Sequence, residues 1–159
     1  HGIDISYDPD MYQTLQLMAE VEVAVEINLT SNDVILGVSG KDHPISIYLE
    51  NSVPITISTD DEGVSRINLT HEYQRAVETF DLAYETIKTI SRNALQYSFL
   101  PGSSLFQNTM DGSLDNECRK GLPQDLEDRS NCSDFILQSE KALMQWQLEK
   151  NFTSFEANF

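Results

Sequence analysis

Two short runs of Val, Ile and Thr interrupt the helical spacing of apolar residues in the first hundred positions. Residues 21–29 are nearly continuous in apolar character, and residues 53–59 contain no charged side chain. β-Branched residues of this kind fit a pleated sheet, and runs of this length are typical of buried strands. We therefore predict two buried strands.

Helical patterns surround the two predicted strands. Asp8 with Pro9 predicts the start of a first helix, Pro44 that of a second and Thr70 that of a third. A fourth helical pattern covers residues 82–100 and ends at a Pro-Gly pair. The order helix, strand, helix, strand, helix, helix is typical of parallel α/β architecture, in which a helix connects one strand to the next.

Polar residues stand where each predicted strand ends. The polar cluster 30–33 follows the first strand, and Asp60 with Asp61 follows the second. His1 lies one further β–α interval upstream. Since the carboxyl ends of parallel strands meet at one edge of a sheet, we expect the strands to be parallel neighbours, with His1 and Asp60 on the same rim. Two adjacent carboxylates repel each other, so either a cation or water must compensate them.

Four other polar residues are expected to have no catalytic role. We expect Ser31 and Asn32 of the polar cluster to hold the loops there. His43 precedes Pro44 at a predicted helix start, where a structural hydrogen bond explains it better than catalysis does. His71 stands at an exposed helix start and is predicted to be inert.

The charge of the chain restricts its partners. Its 159 residues contain 10 Lys and Arg against 26 Asp and Glu, which gives a formal net charge of −16. The sequence has no cluster of basic residues and no glycine-rich phosphate loop, which argues against nucleic acid and anionic membranes as partners. No apolar run approaches the roughly 18 residues that a membrane span needs. A neutral or cationic small molecule suits this surface better.

The last third of the chain has a different character. Residues 103–132 are rich in Gly, Ser, Asn and Asp, and they predict an irregular surface insertion. Residues 133–159 predict one long amphipathic helix that packs on the preceding domain. Cys118 and Cys132 are compatible either with two free thiols or with a disulfide. A disulfide that closes a loop of this length would contribute about 3 kcal/mol to stability.

Several short motifs follow one another in a fixed order. A His-Gly pair comes first, an Asn-Leu-Thr-Ser-Asn run comes later, and a Thr-Asp-Asp sequence closes the second predicted strand. Each motif is weak by itself, but the ordered set resembles the adenosine deaminase family of metal-dependent amidohydrolases. The segments that carry the resemblance are residues 1–2, 26–32, 43–45, 58–63, 93–102 and 139–156.

The resemblance implies a (β/α)8 TIM barrel fold. Residues 1–102 would be the C-terminal part of that barrel, the last two to three β–α units or so, followed by the insertion and a C-terminal helical extension. The resemblance also implies a hydrolase that acts on an amidine C–N bond, with one zinc ion per complete active site. The metal activates the hydroxide that attacks C6 of adenosine, and ammonia is released. We therefore predict a purine nucleoside (adenosine) deaminase whose substrate is a small-molecule purine nucleoside.

The same resemblance implies three site residues. His1 matches the catalytic histidine that hydrogen-bonds the attacking hydroxide, Asp60 matches a metal ligand, and Asp61 matches the substrate-binding carboxylate at N7 of the purine. The family's other three metal ligands and its general acid have no counterpart here, since the chain contains neither an HxH pair nor an HxxE motif. We therefore expect the chain to be the C-terminal portion of a longer protein, and to be inactive without the N-terminal half of the barrel.

Two questions stay open at this stage. The alternative to the enzyme is a non-catalytic, adenosine-deaminase-like binding or growth-factor-type protein that has lost the metal site. Residues 139–156 resemble the secreted, growth-factor-like branch of the family and its bacterial relatives. With this likeness we predict a disulfide between Cys118 and Cys132 and a periplasmic or secreted location, whereas two free thiols would indicate the cytoplasm.

Overall fold

Helices and short strands occur in both parts of the molecule. The structure is a computed structural model that describes all 159 residues, and it divides into two units, His1–Ala94 and Leu95–Phe159. No helix combines the length and the apolar character that a membrane crossing requires.

The first unit alternates helices with two strands. Short 3-10 turns at Ile3–Tyr7 and Gly40–Asp42 accompany these elements. In chain order the elements up to residue 96 are α1 (Met11–Glu20), β1 (Val25–Ile27), α2 (Leu29–Leu36), α3 (Ile45–Glu50), β2 (Ile55–Ile57), α4 (Glu62–Ser65), α5 (Leu69–Phe80) and α6 (Tyr84–Gln96).

The strands β1 and β2 are parallel neighbours, which confirms the prediction from the sequence. Val25 and Ile27 of β1 pair with Ile55 and Ile57 of β2. All four side chains are buried. Glu26, which lies between Val25 and Ile27, is exposed. Successive side chains of a strand point to opposite faces. One face of the sheet is therefore covered by the core, and the face that carries Glu26 is not.

The core of the first unit packs on the covered face of the sheet. Complete burial of a Leu or Ile side chain stabilises a fold by about 1.5–3 kcal/mol, so these contacts supply most of the driving force for this unit. Besides the four strand residues, the buried hydrophobic side chains are Ile5, Leu15, Leu29, Ile45, Tyr48, Val53, Ala76 and Ile90.

Strand β1 is shorter than the predicted strand 21–29, because the end of α1 takes up the first residues. Glu22 has a left-handed backbone conformation (φ 54°), and its N–H donates to the carbonyl of Ala19. The N–H of Val23 donates to the carbonyl of Met18 at 2.9 Å. This pair of hydrogen bonds is the Schellman motif, which ends a helix and turns the chain. Extended pairing can begin only after this turn.

The start of α1 also differs from the prediction. The helix begins at Met11 with Asp10 in the N-cap position, and not at Asp8. Asp8 lies just before this helix, where its carboxylate accepts hydrogen bonds from the N–H of Asp10 at 2.9 Å and from the hydroxyl of Thr14 at 2.6 Å. The carboxylate therefore still anchors the first turn, from two residues further upstream.

Helix α2 contains the polar cluster 30–33, for which the sequence pattern predicts no helix. It follows Asn28 directly and ends at Gly37, whose φ of 68° is left-handed. Ser31 and Asn32 therefore lie in the first turns of a helix. Ser, Thr, Asn and Asp favour helix starts and loops alike, since their side chains bond nearby backbone groups in both. The pattern alone does not separate the two cases.

These 159 residues do not form the (β/α)8 barrel that the family resemblance implies. The only parallel sheet consists of β1 and β2, and no closed barrel is formed. The predicted alternation of helices with parallel strands is confirmed. The barrel itself rests on the family resemblance.

The second unit has a hydrophobic core of its own. A two-stranded antiparallel hairpin and a 3-10 turn at Asn116–Cys118 occupy the region predicted to be irregular. Leu105 and Trp146 are among the buried residues that organise it. The elements are β3 (Phe106–Asn108), β4 (Ser113–Leu114), α7 (Asn131–Leu137) and α8 (Glu140–Glu156).

The two cysteines form a disulfide within this core. The Cα atoms of Cys118 and Cys132 lie 4.7 Å apart, and both residues are buried. The separation is within the usual range for a disulfide. The predicted bridge is therefore confirmed.

The C-terminal region contains two helices where the sequence pattern predicts one. The break falls at Ser139, whose hydroxyl accepts from the N–H of Ala142 at 3.1 Å and donates to the carbonyl of Ser103 at 2.6 Å. A hydroxyl that caps a new helix favours a break in the old one. Gly102 packs against Ser139 with a φ of 99°, where a Cβ would collide with that serine. Packing of the helical region on the first unit stays a prediction.

Candidate functional site

His1 and Asp60 meet at the carboxyl-terminal edge of the parallel sheet. His1 Nε2 lies 3.9 Å from Asp60 Oδ2. The two side chains are 42 % and 33 % exposed, so a ligand can reach both. Their common position on one rim is as predicted from the spacing of the strands.

Asn28, directly after β1, holds the imidazole of His1. Its Nδ2 donates to His1 Nδ1 at 3.0 Å. Because Nδ2 can only donate, Nδ1 accepts, and the neutral ring carries its proton on Nε2. Nε2 is the nitrogen that faces Asp60. Asn28 is 1 % exposed, and although it precedes α2 its side chain makes no capping hydrogen bond.

Ser31, one helical turn after Asn28, holds the carboxylate of Asp60. Its Oγ donates to Asp60 Oδ2 at 2.7 Å. A hydrogen bond to a charged acceptor is stronger than one between neutral groups. Asp60 itself has a left-handed backbone (φ 51°), a conformation that Asp adopts more readily than most residues. Residues three apart lie on the same side of a helix, so one turn of α2 positions both site residues.

Helix α5 supports this turn from another part of the chain. Glu72 is fully buried, and its Oε2 accepts from the N–H of Thr30 at 3.2 Å. Arg75, one turn later, donates to Thr30 Oγ1 at 3.1 Å and bonds the Asp33 carboxylate. The first N–H groups of a helix need acceptors from outside the helix. Glu72 therefore supplies to α2 the cap that the side chain of Asn28 does not provide.

His43 is buried and has a structural role, as predicted. Its Nδ1 accepts from the N–H of Ile45 at 3.2 Å, so its proton lies on Nε2, which donates to Asn32 Oδ1 at 2.9 Å. Burial, together with the positive charge of Arg75, lowers the pKa of His43 to about 4. The ring is therefore neutral near pH 7 and ties the start of α3 to α2.

The other two residues singled out by sequence lie on the surface. Asp61 is exposed next to Asp60, in the N-cap position of α4, and its side chain makes no capping hydrogen bond. Its carboxylate is accessible to a ligand. His71 is exposed in the first turn of α5, where its N–H donates to Asn68 Oδ1 at 3.0 Å. The structure does not bring His71 into the rim.

The residues present do not form a complete metal site. A catalytic zinc site uses three protein ligands and a water molecule. His1 and Asp60 offer donor atoms of suitable chemistry, but no group of three or more His, Cys, Asp or Glu side chains is arranged to hold a metal ion. Within these 159 residues the donor set is therefore too small for a zinc ion.

Comparison with known proteins identifies the family of the chain. The adenosine deaminase family model matches residues 1–107, well over half of the chain. The chain belongs to the adenosine deaminase family. The match contains His1, Asn28, Ser31, Asp60 and Asp61, and it confirms the family inferred from the ordered motifs.

Two relatives show the extent of the similarity. The chain is 36 % identical over 100 residues to an adenosine deaminase of Clostridium perfringens strain 13, which covers 62 % of this chain and 29 % of that protein. It is 34 % identical over 104 residues to an adenosine deaminase of Aliivibrio fischeri strain ES114, which covers 65 % of this chain and 30 % of that protein. The chain thus spans less than a third of the length of these curated relatives.

Sequence reasoning missed two residues that support the site. Asn28 lies in the run predicted as a strand, and Glu72 lies in a helix with no apparent link to the rim. Recognition of a helix start after β1 would have placed Asn28 and Ser31 on one turn, as an i, i+3 pair. No local signal marks Glu72, since its partner Thr30 is 42 residues away in the chain.

Proposed function

We propose that this chain supplies the C-terminal part of a purine nucleoside deaminase site. The observation that carries the proposal is the His1–Asp60 pair at the rim of a parallel sheet, in a chain of the adenosine deaminase family. His1 is assigned as the catalytic residue, Asp60 as a metal ligand and Asp61 as the substrate-binding residue.

The reaction is the hydrolysis of an amidine C–N bond. The oxygen of water adds to C6 of the purine, and the bond between C6 and the exocyclic nitrogen breaks. One proton of water goes to the nitrogen that leaves as ammonia, and the other stays on the product. A zinc ion, held in part by Asp60, would supply a hydroxide at neutral pH, because a bound zinc ion lowers the pKa of water far below its ordinary value, to about 7.

His1 directs a hydrogen-bond donor toward the incoming oxygen. Asn28 holds Nδ1, so the Nε2–H is the group that faces the rim. A donor that is already oriented stabilises charge that develops in the transition state at no cost in reorganisation. Asn28 therefore supports the reaction by fixing both the direction and the tautomer of His1.

The two aspartates have different tasks because their surroundings differ. Ser31 binds Oδ2 of Asp60 and limits the rotation of the carboxylate, which would hold the metal ion. Asp61 is exposed beside Asp60, and its side chain is assigned to bind the purine at N7. The remaining metal ligands and the general acid would come from residues outside the 159 described here.

The disulfide supports a proposal about location. Disulfides persist in oxidising compartments and are rare in the cytosol, so the Cys118–Cys132 bridge favours a periplasmic or secreted protein. Membership of the growth-factor-like branch stays a prediction.

The experiment that tests the proposed function is an assay of the full-length protein with adenosine. We expect inosine and ammonia in equal amounts, and a loss of at least about 100-fold in kcat for His1→Ala, the scale on which such donors act. His71→Ala is the matched control, because His71 is exposed and stands apart from the rim. Binding of the nucleoside by a metal-loaded protein without any turnover would instead support the non-catalytic alternative.

A further inference from the structure

We infer that Tyr48 of α3 is a positioning residue for His1, an inference that rests on the proposed catalytic function of that histidine. The hydroxyl of Tyr48 donates to the carbonyl oxygen of Gly2 at 2.5 Å. Gly2 is joined to His1 through the peptide bond, and Tyr48 is 46 residues further along the chain than Gly2. The hydrogen bond therefore ties the backbone next to His1 to a helix that contributes no side chain to the rim itself.

The backbone of Gly2 is confined on two sides. Its φ is 66°, in the left-handed region that favours glycine. A Cβ at this position would collide with the side chain of Val25 and with the hydroxyl of Tyr48. Gly2 is thus packed between β1 and α3, and Tyr48 provides both the wall on one side and the hydrogen bond to the carbonyl.

Tyr48 and Asn28 act on His1 at different points. Asn28 binds the ring at Nδ1, and Tyr48 binds the carbonyl of Gly2, the residue that follows His1. Asn28 therefore restrains the ring of His1, and Tyr48 restrains the backbone one residue further along the chain. A displacement of about 1 Å in a reacting group can cost about 100-fold in rate, so the second anchor matters for the reaction.

The surroundings of Tyr48 suit a permanent donor. The residue is 2 % exposed, and it belongs to the hydrophobic core of the first unit. Burial, and to a lesser extent the charge of Asp4, raises the pKa of Tyr48 to about 12. The hydroxyl therefore keeps its proton near neutral pH and stays a hydrogen-bond donor to the carbonyl of Gly2.

The test compares Tyr48→Phe with Tyr73→Phe in the full-length protein. Tyr73 is the matched control, since it is a partly buried tyrosine of the same unit whose hydroxyl accepts a hydrogen bond from Ser91 of α6 and makes none to Gly2. We expect Tyr48→Phe to lower kcat about tenfold and to leave KM within about twofold, because orientation and not binding is affected. Tyr73→Phe should leave both constants within about twofold.

A second readout does not depend on activity. The Cε1–H signal of His1, observed by NMR in protein with labelled histidines and identified by its loss in His1→Gln, reports the surroundings of the ring. It should move in Tyr48→Phe and keep its position in Tyr73→Phe. Gly2→Ala is a second variant that displaces the same peptide by a clash, and it should move the signal as well.

The outcomes separate this inference from the proposed function. A wild-type protein without deaminase activity, in which Tyr48→Phe or Gly2→Ala still moves the His1 signal, would overturn the proposed function and support the positioning role. An active wild type in which Tyr48→Phe matches Tyr73→Phe, both in kcat and in the His1 signal, would overturn the positioning role and leave the proposed function in place.

Discussion

Ser31 and Asp60 are 29 residues apart in the chain and are joined by a hydrogen bond of 2.7 Å from Ser31 Oγ to Asp60 Oδ2. The bond connects the first turn of α2 to the end of β2, the two segments that form the rim. It also orients the carboxylate that we assign to the metal. Ser31 is 3 % exposed, so water cannot readily take its place.

Replacement of Ser31 tests the importance of this bond for the carboxylate. In Ser31→Ala, Asp60 loses its only side-chain hydrogen-bond donor and gains rotational freedom. Hydrogen bonds to charged groups contribute about 1.5–3 kcal/mol, so we expect kcat/KM for adenosine to fall by one to two orders of magnitude, or about 10- to 100-fold. Ser46→Ala, an exposed serine on α3, is the control. Equal kinetics for the two variants would show that Ser31 does not orient Asp60.

Glu72 should be the most sensitive of the acidic residues of α5. Its removal leaves the N–H of Thr30 without an acceptor in a buried position. We expect Glu72→Ala to lower the free energy of unfolding by about 2–3 kcal/mol, the usual cost of an unsatisfied buried group together with a small cavity. Glu78→Ala, on the exposed side of the same helix, should change it by less than about 0.5 kcal/mol. Denaturant unfolding of both variants measures the difference.

His43 should make the stability of the protein depend on pH in the acidic range. Its pKa is about 4 when folded, compared with 6.5 for the free side chain. Between these values the unfolded chain binds a proton that the folded chain does not, so the free energy of unfolding falls as the pH falls from 6.5 to 4. The contribution is complete above pH 6.5, and its total is on the order of 3 kcal/mol.

The neutral variant His43→Asn isolates this contribution. Asn keeps an acceptor for the N–H of Ile45 and carries no charge at any pH. The thermal midpoint of the variant, measured from pH 4 to pH 8, should fall less steeply with acid than that of the wild type. Parallel curves for the two proteins would mean that His43 does not contribute to the acid sensitivity.

The disulfide should be important for the stability of the second unit. Cys118 and Cys132 are both part of its hydrophobic core, and they close a loop for which chain entropy predicts about 3 kcal/mol. We expect the double variant Cys118→Ala and Cys132→Ala to unfold this unit at a lower denaturant concentration. Titration of the denatured, unreduced protein should find no free thiol from these two residues, and two free thiols would contradict the bridge.

The sequence was most informative about the edge of the parallel sheet, where one rule of the fold also locates the candidate site. Val25 and Ile55 lie in β-branched runs that predict their strands. The carboxyl ends of parallel strands meet at one edge of a sheet, and this rule then places His1 near Asp60. The resemblance to the deaminases added the chemistry of those residues. No composition rule could have supplied it.

The misses arise from contacts between distant parts of the chain. The break at Ser139 depends on its bond to the carbonyl of Ser103, and the cap of α2 depends on Glu72. Both partners are far away in the chain, so the local sequence pattern cannot predict either contact. The end of α1 is a different case, because a helix that closes with Glu22 in a left-handed conformation has no glycine to mark it.

The central claim, that Asp60 binds the metal and Asp61 the purine, is tested most directly by zinc content and deamination kinetics measured together on two variants of the full-length protein. Asp60→Ala should contain no zinc and show no turnover of adenosine. Asp61→Ala should retain one zinc ion per protein and lose about 2–4 kcal/mol of transition-state stabilisation, the scale found when an oriented hydrogen bond is removed. Equal loss of zinc in both variants, or full zinc and activity in Asp60→Ala, would contradict this account.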